Sequence, residues 1–221
     1  MEVPVVQRVL KVNDELANQV RERLRAAGVV AVNIISAPGS GKTTLIETVL
    51  PLLRDHVRVG VIEGDPETSL DAERISKHDV PVVQIETAGG CHLEANLVNR
   101  ALDSLPLHEL DLIIIENVGN LVCPAAFDLG ESARVAIVSV PEGHDKPAKY
   151  PRLFKDVDLV ILNKTDLLPY IPFDRDLFKT YLDKLQPGGS LIETACPQGQ
   201  GIEEWADWLA AVAQGAPAQK A

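Results

Sequence analysis

Residues 36–43 read Ser-Ala-Pro-Gly-Ser-Gly-Lys-Thr, directly after the apolar run 29–35 and directly before the helical pattern 44–53. That order suits phosphate binding. Small residues let backbone N–H groups converge on phosphate oxygens at a helix N-terminus, Lys42 adds a mobile positive charge, and the Thr43 hydroxyl is placed to ligate magnesium. Gly39, Ser40, Gly41, Lys42, Thr43 and Thr44 are the candidate phosphate-binding residues, with Lys42 and Thr43 also serving phosphoryl transfer. Ser36 stands where the first glycine of such a loop is usual, a mild departure. A simple glycine-rich turn before a helix is the alternative.

The base is read elsewhere. Asn163-Lys164-Thr165-Asp166 ends the run 159–162, where an open sheet presents its loops to a ligand. A carboxylate accepts two hydrogen bonds side by side, and guanine offers a ring N–H and an amino group in that arrangement where adenine does not. Asp166 would read the base, the Lys164 stem would lie along the ring and Asn163 would brace the loop. GTP is therefore expected, and an ATP-dependent kinase is the weaker reading.

Magnesium and water fall to residues further along. Glu116 ends the run 112–115 and opens Glu116-Asn117-Val118-Gly119, where GTPases carry Asp-x-x-Gly; Asp65 follows the run 57–62 in Glu63-Gly64-Asp65. Either carboxylate, Glu116 or Asp65, can approach Mg²⁺, with a turn or helix cap as the alternative for each. The Gly119 N–H is placed to sense the γ-phosphate. Asn120 occupies the position of a water-orienting glutamine, and its shorter amide implies slow hydrolysis.

A third group is softer. Cys91-His92 follows Ala88-Gly89-Gly90, and Cys123 lies seven residues after Glu116. Thiolate with imidazole suits Ni²⁺ or Zn²⁺, whereas Mg²⁺ prefers oxygen. No CxxC or HxH spacing is present, so buried thiols and a hydrogen-bonded histidine remain open on spacing alone.

These residues need a frame. The chain has 221 residues, 46% hydrophobic and 24% charged, enough for one domain with a full core. Its formal charge of −11 lacks the basic footprint of a nucleic-acid binder. No apolar run approaches the roughly 20 residues of a membrane span, and no secretory signal is visible, so a cytoplasmic location is expected. Three cysteines do not make a disulfide framework. Continuous apolar runs at 29–35, 57–62, 80–85, 112–115, 135–140, 159–162 and 191–192 alternate with helical patterns. Runs of this kind mark parallel strands covered on both faces, which predicts an α/β domain with a mainly parallel sheet and helices on both sides. One domain is expected over 1–221, with an amphipathic N-terminal helix at about 13–27, capped at Asn13-Asp14 and ended by Gly28, and a frayed tail at 214–221.

Taken together, Gly-Ser-Gly-Lys-Thr-Thr (39–44), Glu-Gly-Asp (63–65), Gly-Gly-Cys-His-Leu (89–93), the stretch 116–125, Phe-Asp-Leu-Gly-Glu (127–131) and Asn-Lys-Thr-Asp (163–166) resemble the HypB family of hydrogenase nickel-incorporation GTPases, over about residues 13–212. The related urease family carries Cys-Pro-His in place of Cys91-His92. The resemblance implies a SIMIBI-type P-loop GTPase that dimerises on nucleotide and carries Ni²⁺ or Zn²⁺ at Cys91, His92 and Cys123, paired with their two-fold mates. It implies a HypA-like maturation partner and a hydrogenase large-subunit precursor as further partners. Many relatives begin with a Cys-rich or His-rich nickel tract. Here the five histidines are scattered at 56, 78, 92, 108 and 144, so the dimer site is expected to be the sole nickel site. Cys196, in Thr194-Ala195-Cys196, is expected near the base as a packing residue, and Lys146 and Lys149 as surface lysines. A zinc-loaded, GTP-regulated scaffold dimer, and an accessory GTPase for another nickel enzyme such as urease or for a cobalamin-dependent mutase, are the competing readings.

Overall fold

The structure, a computed structural model, describes residues 5–65 and 69–215, with side chains from residue 10 onward. The expected strands are all present: β1 (Val30–Ser36), β2 (Val59–Asp65), β3 (Val82–Glu86), β4 (Leu112–Glu116), β5 (Ala133–Ser139), β6 (Leu159–Asn163) and β7 (Ser190–Glu193). They form one sheet in the order β3-β2-β4-β1-β5-β6-β7, with every neighbouring pair parallel. The helices are α1 (Val5–Ala27), α2 (Lys42–Leu53), α3 (Leu70–Ser76), α4 (Ala95–Ala101), α5 (Lys146–Lys149), α6 (Pro151–Lys155), α7 (Arg175–Leu185) and α8 (Ile202–Ala213).

Strand alternation assigns each residue to a face. On β1, Val32 and Ile34 pack with Leu45, Val49 and Leu53 of α2 and with Trp205 and Leu209 of α8. Ala31 points the other way, into a cluster with Val20 and Leu24 of α1 and Val98 of α4. Ile35 joins Leu153 and Phe154 of α6 and Phe178 of α7 on that second side. Burying such a side chain contributes roughly 1.5–3 kcal/mol, which is why strands covered on both faces are apolar along their whole length. Polar residues gather at the strand C-termini, where Ser36, Asp65, Glu116, Ser139 and Asn163 lie at one end of the sheet, while Asn33 of β1 and Glu63 of β2 are buried further in.

The N-terminal helix differs from expectation. It runs through Asn13 rather than starting there, because Asn13 is a buried interior position on the stripe Asn13, Ala17, Val20 and Leu24. Leu16, on the same helix, is only half-buried. The far end is as expected: the Gly28 N–H reaches Arg25 O at 3.1 Å and the Val29 N–H reaches Leu24 O at 2.9 Å, the paired return bonds of a C-terminal cap. Of the expected tail, residues 216–221 lie outside the described residues. No described helix is long and apolar enough to cross a membrane.

Candidate functional site

The phosphate loop joins β1 to α2 and is braced from both sides. Gly41 has φ 99°, and a Cβ there would stand 2.6 Å from Asn163 Nδ2, so the position admits only glycine. Asn163 Nδ2 donates to Ser40 O at 2.9 Å, Lys164 Nζ to Gly39 O at 2.6 Å, and Thr194 Oγ1 to Asn163 Oδ1 at 3.0 Å. The segment expected to read guanine therefore also holds the phosphate loop, with Asp166 half-exposed on the single turn that follows. Ser36 accounts for its own departure. Its hydroxyl accepts from Ser40 Oγ and donates to Ala37 O at 2.9 Å, bracing the loop from within. Thr44 is exposed on the first turn of α2, 3.2 Å from Arg74 Nη2.

Register explains the carboxylates. Glu63 of β2 pairs with Glu116 of β4, so both side chains leave the sheet on the α2 side. Glu116 Oε1 accepts from Thr43 Oγ1 at 2.9 Å and lies 3.8 Å from Lys42 Nζ. Carboxylate oxygens of Glu63, Asp71 and Glu116 lie within 4.8 Å of one another. Burial, then the neighbouring Glu116, push Glu63 up to about 10, and burial pushes Glu116 up as well, against the pull of Lys42. Among the described residues, the buried Oε2 atoms of Glu63 and Glu116 have no hydrogen-bond partner. A hard divalent cation would satisfy both, so the all-oxygen donor set fits magnesium. Asp65, ranked equally with Glu116 from sequence, is not in this cluster; Glu63 and Asp71 are. Asp65 ends β2 two residues beyond Glu63, and its carbonyl accepts the Thr87 N–H at 3.1 Å.

Cys91, His92 and Cys123 do converge, one ligand atom of each lying within 4.8 Å of the others, although Cys91 and Cys123 come from loops 32 positions apart. Cys91 Sγ stands 3.6 Å from His92 Nδ1, and the imidazole leans on Phe127 with ring centroids 3.9 Å apart. The adjacent Cys91 sulfur pushes the Cys123 thiol up, and burial lowers His92 against the pull of Glu94. A Cys123 thiol whose ionisation its neighbour disfavours, beside an imidazole whose protonation burial disfavours, forms with Cys91 a donor set that suits a soft divalent ion. Cys91 is exposed, and Val122, beside Cys123, is 60% exposed, so the cluster opens to the surface.

Between these sites run amides whose partners lie far away in the sequence. Gly119 packs on the phosphate loop so closely that a Cβ would meet Pro38 Cα at 3.0 Å. Asn120, expected to orient water, uses Oδ1 to accept from Val122 N at 2.8 Å and Cys123 N at 3.4 Å, holding the turn that carries the thiol. Asn117 Oδ1 accepts from Leu93 N at 3.1 Å. Asn13 bridges Ala95 N and Asp128 O at 2.9 and 2.7 Å. The sequence signal for Asn33 was a polar residue in an otherwise apolar run, and Asn13 carried the chemistry of a helix cap. Cys196 interacts with Thr48 and is pushed up by burial, and Lys149 pairs with Asp145 at the surface, as expected of packing and solvated residues.

An all-parallel sheet with a phosphate loop after β1 and a guanine-type loop after β6 defines a P-loop nucleotide-binding protein of the SIMIBI type. The family described as CobW/HypB/UreG, nucleotide-binding domain, matches residues 30–193. The hydrogenase maturation factor HypB of Azotobacter chroococcum is 47% identical over 207 residues, covering 94% of this chain and 68% of that protein. The crystal structure of HypB from Helicobacter pylori in complex with nickel superposes with a TM-score of 0.88 at 36% identity, over 93% of this chain and 96% of that one. That of the hydrogenase maturation factor HypB from Archaeoglobus fulgidus gives 0.86 at 40% identity, over 92% and 100%. The chain belongs to the HypB family of hydrogenase maturation factors.

Proposed function

We propose that the chain is a GTP-hydrolysing metal carrier that takes nickel at Cys91, His92 and Cys123 and releases it according to nucleotide state during maturation of nickel–iron hydrogenase. The observation that carries this reading is the sharing of one loop: Glu116 touches Thr43 of the phosphate site, and seven residues later Cys123 stands in the thiol–imidazole cluster. A loop that answers to the γ-phosphate thereby holds a metal ligand. The nickel-bound Helicobacter pylori relative supports the choice of cargo.

In this reading the residues 39–44 cradle the phosphates, Gly119 senses the γ-phosphate, Asp166 reads guanine, and Asn163 and Lys164 brace the loop. Thr43 and Glu116, with Glu63 beside them, would hold magnesium, which neutralises charge on the transferring phosphoryl group when bound. Asp65 is kept as a nucleotide-side residue at the end of β2. Asn120 holds the Cys123 turn through Oδ1, so a role for it in hydrolysis would tie turnover to the position of a metal ligand. Three ligands at an exposed surface leave room for donors from a second copy, so a two-fold homodimer would complete the site. A HypA-like protein and a hydrogenase large-subunit precursor are the proposed donor and acceptor of nickel, in the cytoplasm.

The same donor set suits zinc, which keeps a zinc-loaded, GTP-regulated dimer as the second reading. Replacing Cys123 by Ser separates site from fold. Nickel bound to the reduced protein should fall from stoichiometric to background in equilibrium dialysis, with GTP affinity held within about twofold because the partners of Cys123 are Asn120 and Cys91 rather than the phosphate loop. Stoichiometric nickel on the variant refutes the ligand set.

A further inference from the structure

We propose that Asn117 is a positioning residue that transmits the state of the nucleotide loop to the Cys91-His92 half of the thiol–imidazole site. The inference rests on the nucleotide and metal reading above and adds a second route to it, independent of Cys123. Glu116 and Asn117 are consecutive at the end of β4, so their side chains leave the sheet on opposite faces. Glu116 goes to Thr43, on the nucleotide side. Asn117, 1% exposed, goes to the other face and uses both ends of its amide there. Its Oδ1 accepts from Leu93 N at 3.1 Å and Val118 N at 2.9 Å, and its Nδ2 donates to Asn33 Oδ1 at 3.2 Å. Asn33 in turn donates from Nδ2 to Glu131 Oε1 at 3.2 Å, so the far end of the relay is fixed to β1 and the loop before β5.

Leu93 is the residue after His92, and its side chain is locked against β2: a Cβ on Gly64 would meet Leu93 Cδ1 at 2.9 Å. Its buried N–H has Asn117 Oδ1 as acceptor, and a buried donor left unpaired is costly. Any shift of residues 116–119 against Pro38 must therefore carry Leu93 with it or break that bond. An alkyl side chain at 117 would pack without this constraint. Asn13 provides the contrast. It too ties the same segment down, through Ala95 N, but it comes from α1 and reaches Asp128 rather than the nucleotide loop.

The test uses the full reduced chain as wild type, Asn117→Ala and Asn13→Ala, each with GDP and with a non-hydrolysable GTP analogue. Amide hydrogen exchange is followed for residues 91–95 and nickel affinity is titrated. In wild type, exchange over 91–95 should differ between the two nucleotides, with nickel affinity differing roughly tenfold, within the usual range of coupling between sites. Asn117→Ala should erase the exchange difference and compress the nickel ratio to within about twofold, while Asn13→Ala lowers the melting temperature and keeps both. Retention of both differences by Asn117→Ala, or their equal loss in Asn13→Ala, overturns the relay. The wild-type exchange experiment needs no variant: if residues 91–95 are indifferent to the nucleotide, the relay is wrong even should Asn117→Ala fail to fold. Nickel affinity independent of nucleotide, with an exchange difference that still requires Asn117, would sink the release function and leave the relay standing.

Discussion

Glu63 shows how one residue takes its chemistry from a neighbour on another strand. Buried beside Glu116, it is pushed up to about 10, so it keeps a proton at neutral pH in the nucleotide-free protein. Its folded value lies above the ordinary carboxylate value of 4.5, and between the two the folded state binds more protons than the unfolded one. Its contribution to stability is present in full below about pH 4.5 and is lost as pH rises toward 10, at up to about 1.4 kcal/mol per pH unit. Glu63→Gln keeps the shape and removes the titration. Its melting temperature without nucleotide or metal should fall less steeply than that of wild type between pH 6 and pH 9, and parallel slopes would show that Glu63 is ionised in the folded protein. Glu63 stood in plain view within Glu-Gly-Asp, yet the sequence offered no reason to prefer it to Asp65, because the preference comes from the register of β2 on β4.

Among the elements, α1 and the loop 127–131 depend on each other. Arg21 grips both carboxylate oxygens of Asp128 at 2.9 and 2.8 Å, and Asn13, about two turns earlier on α1, donates to the Asp128 carbonyl. Burial works against the charged form of Asp128, but the Gly130 N–H and the Arg21 guanidinium hold it below the ordinary aspartate range. A depressed value means that this stabilisation is present above about pH 3.8 and is lost as pH falls through the folded value. Arg21→Ala should therefore shift acid unfolding to higher pH. The pair is more than a third exposed, so the loss at neutral pH should be about 0.5–1 kcal/mol in urea titrations. An unchanged acid transition would mean that α1 is held by its apolar stripe alone. The strands were legible almost residue by residue, because parallel strands covered on both faces leave long apolar runs. The start of α1 was not: Asn13-Asp14 has the chemistry of a helix cap, and only the partners of Asn13 on distant loops reveal an interior residue.

At the scale of the whole molecule, two chemically distinct sites meet at the C-terminal end of one sheet. An oxygen-lined cradle for nucleotide and a hard cation lies on the α2 side of β4, and a soft cluster of two thiols and an imidazole lies beyond its other face. The phosphate loop was readable from its spacing, since all its residues are consecutive. The soft cluster was only weakly readable, because its three ligands are gathered by two loops: their chemistry suggested a metal, and resemblance to a family made that the main reading. What neither spacing nor resemblance exposed is the pair of buried amides, Asn33 and Asn117, that ties the end of β4 to the segment after Cys91-His92. Whether nucleotide state governs nickel affinity decides whether the two sites share a switch. Calorimetric titration of nickel into the reduced chain, free, with GDP and with a non-hydrolysable GTP analogue, measures this directly when mass is followed by light scattering in the same samples. The account predicts tight binding to a dimer with the analogue and weaker binding with GDP. Equal affinity in all three states would contradict it, and would leave a metal site and a GTPase that share a chain without sharing a switch.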